Sequence, residues 1–345
     1  MIHTNFSEID IMAQVQTKAR NAPGGGGGEP SPIIASTKAT GSARRTIFRP
    51  QGMGFRLSYN CQIGCRHCDQ KSAARSDVAI KRDRLLATLR EGYAAGMRHV
   101  GFSGGEPFLF ADTVFEGIAL AKKLGYDGNI GVQTNGFWGK TTQSARAIID
   151  KLVKAGFSPP TSRINLSVGE FHQEWIPMST IGNIVEAYWE TFKHPLILNV
   201  TFSRGNKAIF QKLLDHFEMR GIPAEACTPL IYPSVAHVGR ADEVISAQDN
   251  PPVPVSRFKE CGAINKFTVE PTGKVAPCCG FSRFINGICI GNIYKNSIQD
   301  IIDKTNTSII YQYIKFKPLH EIHRILSEKF ELKTHFRHKC ELCQE

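Results

Sequence analysis

Three cysteines fall within one short segment, Cys61-Gln-Ile-Gly-Cys65-Arg-His-Cys68, a C-x3-C-x2-C loop. Thiolates this close can ligate three irons of a [4Fe-4S] cluster, leaving the fourth iron without a protein ligand. Such an open iron can bind a substrate or cofactor directly. The competing chemistry is a zinc site with a distant fourth ligand, although zinc ordinarily takes paired C-x2-C knuckles in tetrahedral closure.

A second chemical segment, Ser103-Gly104-Gly105-Glu106-Pro107, ends an apolar run. Glycines let backbone amides approach a ligand, and Glu106 offers a carboxylate to an ammonium group. A Gly-Gly turn at a strand end is ordinary by itself. Its weight comes from lying one strand-helix unit after the cysteine loop.

The elements that must carry these segments are legible as alternating patterns. Strand-like runs occur at 55–59, 99–102, 130–133, 164–168, 196–202 and 225–232, with helical periodicity near 81–95, 111–124, 142–155, 180–192 and 206–220. Six strands alternating with helices, with no dinucleotide-binding glycine fingerprint, predict an α/β fold: a partial (β/α)6 TIM-like barrel with its chemistry at the C-terminal strand ends. Residues 1–46, with five consecutive glycines at Gly24 to Gly28, read as a flexible Gly-rich tail. The barrel is expected over 47–245. A polar, proline-bearing connector around Asn250 then leads into a smaller, cysteine-bearing C-terminal domain over 246–345.

At 345 residues, with 41% hydrophobic and 21% charged residues, the chain can bury a large core, which excludes wholesale disorder. No apolar run is long enough for a membrane span, and Glu8 and Asp10 interrupt any secretory signal, so a cytoplasmic location is expected. In that reducing compartment the ten cysteines point to metal rather than disulfides. The net charge of +11 attracts anionic partners, whether nucleic acid, an acidic peptide or an acidic electron carrier. Aromatic-basic RNA motifs are not found, which argues against nucleic acid.

The cysteine loop after strand one, taken with Gly104-Gly105-Glu106-Pro107 after strand two, resembles the radical SAM enzymes. The resemblance spans residues 52–242 and implies that Cys61, Cys65 and Cys68 hold a [4Fe-4S] cluster whose open iron binds S-adenosylmethionine (SAM). Reduction would cleave SAM to methionine and a 5′-deoxyadenosyl radical. The same resemblance implies a SAM pocket lined by Gly104, Gly105, Glu106, Pro107, Thr134 and Asn135. Ser167 and Glu170 are expected at the ribose or carboxylate, and Arg240 near the adenine. Two positions depart from the family pattern: His67 where another aromatic residue is common, and Gly169 where relatives often carry Asp.

The C-terminal cysteines resemble the twitch or SPASM extension of the same family. Cys261, Gly273 and Cys278 imply a hairpin, and Cys340 with Cys343 would complete the ligands of one auxiliary [4Fe-4S] cluster. Cys279 and Cys289 stay ambiguous, and a structural zinc ribbon is the competing reading. Cys227 on strand six is expected to point into the barrel as a hydrogen-atom donor, the alternative being a small core residue. Extensions of this kind imply a precursor peptide or protein substrate, modified by crosslinking or epimerisation, and an acidic donor such as flavodoxin or ferredoxin. Sulfatase-maturase-like oxidation, molybdopterin-precursor-like cyclisation and a zinc-stabilised nucleic-acid binder are the alternatives.

Overall fold

The computed structural model describes residues 48–74, 76–202, 208–232, 235, 237–244, 251–261, 264, 266–278, 288–343 and 345. The expected Gly-rich tail and Cys279 lie outside the described residues. Residues Thr46–Glu345 form one compact unit.

Six parallel strands, β1 (Gly52–Arg56), β2 (His99–Ser103), β3 (Ile130–Thr134), β4 (Ser162–Gly169), β5 (Leu196–Thr201) and β6 (Cys227–Tyr232), pair in sequence order. Five long helices connect them: α1 (Arg82–Ala94), α2 (Ala111–Leu124), α3 (Thr142–Lys154), α5 (Met178–Phe192) and α6 (Ala208–Met219), with the one-turn α4 (Glu170–Gln173) between β4 and α5. This is the expected partial (β/α)6 barrel. Local signals start and stop the helices where the sequence dictates. Thr141 and Ser144 form a reciprocal capping box at the start of α3, and Gly125 ends α2 in the left-handed conformation.

Strand alternation decides which face is core. Met53, Phe55, Val100, Phe102, Ile130, Val132, Ile164, Leu166, Leu198 and Val200 are buried beneath helix residues such as Leu85, Leu89, Ile118, Ile149 and Ile184. The opposite, inner face carries Arg56, Ser103, Gln133, Ser167, Asn199 and Thr201, all on the wall of a cavity. A closed barrel fills this face with layers of branched side chains. Here one layer runs Thr268, Gly54, Gly101, Gly131 and Arg163 across five paired strands, so three successive positions have no side chain.

After α7 (Ala241–Val244) and β7 (Val253–Pro254), strand β8 (Lys266–Val269) pairs in parallel with β1. It folds back antiparallel onto β9 (Lys274–Ala276), which pairs with β10 (Gly291–Asn292). One sheet therefore crosses the expected boundary near 245. Helices α8 (Ile298–Thr307), α9 (Ile309–Phe316) and α10 (Leu319–Ser327) lead to β11 (His335–Phe336), paired with β7, and to the terminal α11 (Lys339–Leu342). Among the described residues, no helix is long and apolar enough to cross a membrane.

Candidate functional site

The loop after β1 is tied to itself before it can present thiols. Isolated bridges join Ser58 to Ala79 and Asn60 to Ala73, and the Cys61 amide donates to the Ala73 carbonyl at 3.1 Å. Cys61, Cys65 and Cys68 all line one cavity of about 850 Å³. Burial pushes the Cys61 thiol up to about 11, with Glu106 and Cys68 adding to the effect against the Ile63 amide. Burial also pushes Cys65 up to about 12, reinforced by Cys61 and Cys68. Clustered thiols that oppose one another's ionisation need a cation to become thiolates, which is the condition a bound iron-sulfur cluster meets.

Arg240 holds this loop from the far side of the chain. Its guanidinium donates to the Cys65 carbonyl at 2.6 Å and the Ser72 carbonyl at 2.8 Å, and its amide to the Cys68 carbonyl at 2.9 Å. Arg240 thus clamps the cysteine loop. His67 stacks on Phe171 at 4.6 Å and meets His172 edge-on at 4.8 Å. Burial lowers His67 to about 4 and His172 to about 3, so both imidazoles are neutral near pH 7.

Gly104 and Gly105 have φ of +87° and +34°, and a Cβ on either would strike backbone, Arg56 Cα at 2.6 Å and Asn60 O at 1.9 Å. Glycine is required at both positions, and both line the cavity. Glu106 follows these glycines. Its carboxylate is fully buried and accepts from the Thr134 hydroxyl (2.7 Å), the Asn135 amide (2.8 Å) and the Phe108 amide (3.0 Å). It is not among the cavity-lining residues, and neither is Pro107, which opens the short 3-10 turn that Glu106 caps. Burial raises Glu106 to about 7 against these donors. Its carboxylate ties the turn after β2 to the end of β3.

Thr134, Asn135 and Ser167 line the cavity. The Asn135 amide nitrogen donates to Cys61 Sγ at 3.7 Å, coupling the end of β3 to the cysteine loop. Glu170 opens α4 and lies off the wall. Gly169 has φ of +122°, and a Cβ there would sit 1.9 Å from the Thr201 carbonyl, which explains the missing acidic side chain. Gln133, Asn199 and Thr201 also line the cavity and were not singled out from the sequence. For Asn199 and Thr201 the available signal was two polar residues, two apart, in the otherwise apolar run Leu196-Ile-Leu-Asn199-Val-Thr201.

Cys227 opens β6. It pairs with Leu196 at the first position of β6, so it shares the outer face of Leu196, Leu198 and Val200. It packs against the core, its thiol pushed up to about 11 by burial, and does not line the cavity. This placement is that of a partly buried residue at the start of β6, against the core.

The C-terminal cysteines face a common space, although among the described residues no group of three or more Cys, His, Asp or Glu is set to hold a metal ion. The β8–β9 hairpin turns at Gly273, with Cys261 preceding β8 in sequence and Cys278 following β9. His338 Nδ1 caps α11 by accepting from the Cys340 amide at 3.2 Å, fixing the terminal C-x2-C. Cys343 is pushed up to about 12 by burial, then by Cys278, Cys340 and Cys261 in turn. All four line the same cavity as the first three cysteines. Cys289 stands nearby, its thiol donating to the Gly291 carbonyl at 3.2 Å. Between the two sets, Arg56 bridges Asp69 at 3.2 Å and buried Glu270 at 3.5 Å, and the Tyr59 hydroxyl donates to Glu270 at 3.0 Å.

The chain is similar to several known proteins. A family model described as the radical SAM superfamily matches residues 55–194, and one for an iron-sulfur cluster-binding domain, SPASM, matches residues 261–344. The Bacillus subtilis (strain 168) protein YydG, named for peptide biosynthesis, is 22% identical over 307 residues, covering 84% of this chain and 90% of that protein. A Sulfolobus acidocaldarius protein named as a GTP 3',8-cyclase is 27% identical over 163 residues, covering 45% of this chain and 48% of its own. The solved structure of anSMEcpe with bound AdoMet and Cp18Cys peptide aligns with TM-score 0.49 and 14% identity, over 86% of this chain and 94% of that one.

Proposed function

We propose, for a chain that belongs to the radical SAM superfamily and carries a C-terminal SPASM iron-sulfur domain, that it modifies a peptide substrate by crosslinking or epimerisation. Its cofactors are a SAM-binding [4Fe-4S] cluster, SAM and auxiliary iron-sulfur ligation. The observation that carries the reading is that Cys61, Cys65, Cys68, Cys261, Cys278, Cys340 and Cys343 all face one cavity of about 850 Å³. A chamber of that size suits a ligand as large as a cofactor together with substrate residues. The name of YydG, similar over most of both chains, favours a peptide.

Cys61, Cys65 and Cys68 would hold the SAM-binding cluster, and Cys261, Cys278, Cys340 and Cys343 the auxiliary one. When bound, the cluster and SAM supply a 5′-deoxyadenosyl radical. The protein's own contribution is orientation and exclusion of water. Gly104 and Gly105 bring bare backbone to the ligand, with Thr134, Asn135 and Ser167 beside it. Asn135 supports the Cys61 sulfur, and Arg240 fixes the loop carbonyls. The neutral stack of His67, Phe171 and His172 closes one side to water. An acidic flavodoxin or ferredoxin fits the net charge of +11 as electron donor.

The test is anaerobic reconstitution with iron, sulfide, SAM and dithionite, followed by a pool of short synthetic peptides and mass spectrometry. Loss of two hydrogens indicates a crosslink. Uptake of one solvent deuterium indicates epimerisation. Cys61→Ala serves as the control that forms no 5′-deoxyadenosine. A parent enzyme that cleaves SAM yet alters no peptide would overturn the peptide reading.

A further inference from the structure

Strand β6 ends the sheet, and its outer edge meets no other strand among the described residues. The Phe202 amide donates to the Tyr232 carbonyl at 3.4 Å, so Tyr232 turns its backbone groups toward β5. Alternation then turns Thr228 and Leu230 the same way, leaving the backbone groups of Cys227, Pro229 and Ile231 facing outward. Pro229 agrees independently, since a strand proline belongs where no ladder donor is needed. No hydrogen bond to another described residue engages these outward groups.

The side chains along this edge are apolar and open. Leu230 is 42% exposed, Ile231 42% and Tyr232 48%. An uncovered apolar edge is an aggregation liability that proteins ordinarily blunt with charge, and β6 carries none. The edge also leads somewhere. Tyr232, its last residue, lines the cavity that holds both cysteine sets, beside Thr201 of β5.

We infer that the free edge of β6 is the docking strand for the substrate: an extended peptide adds to it as a seventh strand and runs past Tyr232 into the cavity. The inference rests on the peptide reading above and adds the mode of binding. Main-chain hydrogen bonds to Ile231 and to the Pro229 and Cys227 carbonyls supply affinity, while Leu230, Ile231 and Tyr232 select apolar side chains. A peptide is favoured over a second copy because the edge is continuous with the cavity, and a paired copy would cover that approach.

The experiment takes the octapeptide most fully modified by the reconstituted full-length enzyme from a synthetic pool. It is resynthesised with one backbone N-methyl group at each position in turn. Strand addition predicts a period of two, with KM rising about tenfold at alternate positions and staying unchanged between them. Ile231→Pro, at an outward position like that of Pro229, should retain the parent's iron content and raise KM about tenfold with kcat unchanged. Ile231→Val, which keeps the backbone N–H, should preserve the period of two in the N-methyl scan. A scan without alternation, or an iron-replete Ile231→Pro with unchanged KM, overturns the proposal. If Ile231→Pro loses its iron, the N-methyl scan decides alone. A parent dimer that Ile231→Pro converts to monomer would assign the edge to a second copy and also overturn it. A parent that modifies no peptide removes the reading on which the proposal stands, whereas modification without alternation removes only the proposal.

Discussion

Glu106 shows what a motif conveys and what it withholds. Its type and position were readable beside two glycines, yet its role depends on burial, which one sequence cannot display. Three donors converge on a carboxylate that burial raises to about 7. The unfolded chain releases this proton at the ordinary value near 4.5, so between those values the folded state holds more protons. Stability therefore falls as pH rises through that window. Glu106→Gln should abolish this slope, measured by urea denaturation at pH 5 and pH 7. It should also cost about 1–3 kcal/mol at pH 7, because one amide donor then faces the Gln amide nitrogen. A slope unchanged in the variant would assign the dependence to other groups. The cysteines were legible because thiolate spacing is itself the chemical signal. The side of Cys227 was not, since Cys-Thr-Pro-Leu-Ile-Tyr has no apolar-polar alternation and its facing is set by pairing with β5.

At the scale of elements, the six strands and five long helices followed from periodicity, and most ends agree to within a few residues. The differences have local causes. Strand β6 starts at Cys227 because Ala224–Ala226 forms a 3-10 turn, and the chain leaves β1 at Arg56 to build the cysteine loop. Register was beyond the sequence, and with it the row Gly54, Gly101 and Gly131. A Cβ on Gly54 would meet nothing nearer than the Phe267 carbonyl at 4.0 Å. Crowding therefore does not require glycine there, and strand interiors ordinarily disfavour it. Gly54→Val should keep or raise stability by roughly 0.5–1 kcal/mol. It should nevertheless reduce peptide turnover by about tenfold or more, by filling space on the cavity wall. Thermal unfolding and product formation measured on the same preparation check both halves. A destabilised variant with normal turnover would contradict a cavity kept open for substrate.

For the whole molecule, Thr46–Glu345 is a self-contained unit, and the sheet joins the barrel to the C-terminal cysteine region through β8 against β1. The sequence showed two chemical regions because their cysteines are separated along the chain. It could not show that they share one sheet and one cavity, which depend on pairings between distant segments. Deleting residues 1–45 should leave the melting temperature and SAM cleavage of the remainder unchanged, because that remainder holds every described strand of the sheet and all seven cavity cysteines. Loss of cluster content on truncation would show that the removed segment supports the unit.

Iron and acid-labile sulfide, counted together with SAM cleavage after anaerobic reconstitution, test the two-cluster cavity most directly. Two cubanes require about eight irons per chain. A Cys340→Ala/Cys343→Ala variant should fall to about four irons while still forming 5′-deoxyadenosine, because Cys61, Cys65 and Cys68 are untouched. A parent that holds only about four irons with one zinc in addition would contradict the account, leaving the C-terminal cysteines as a structural zinc site.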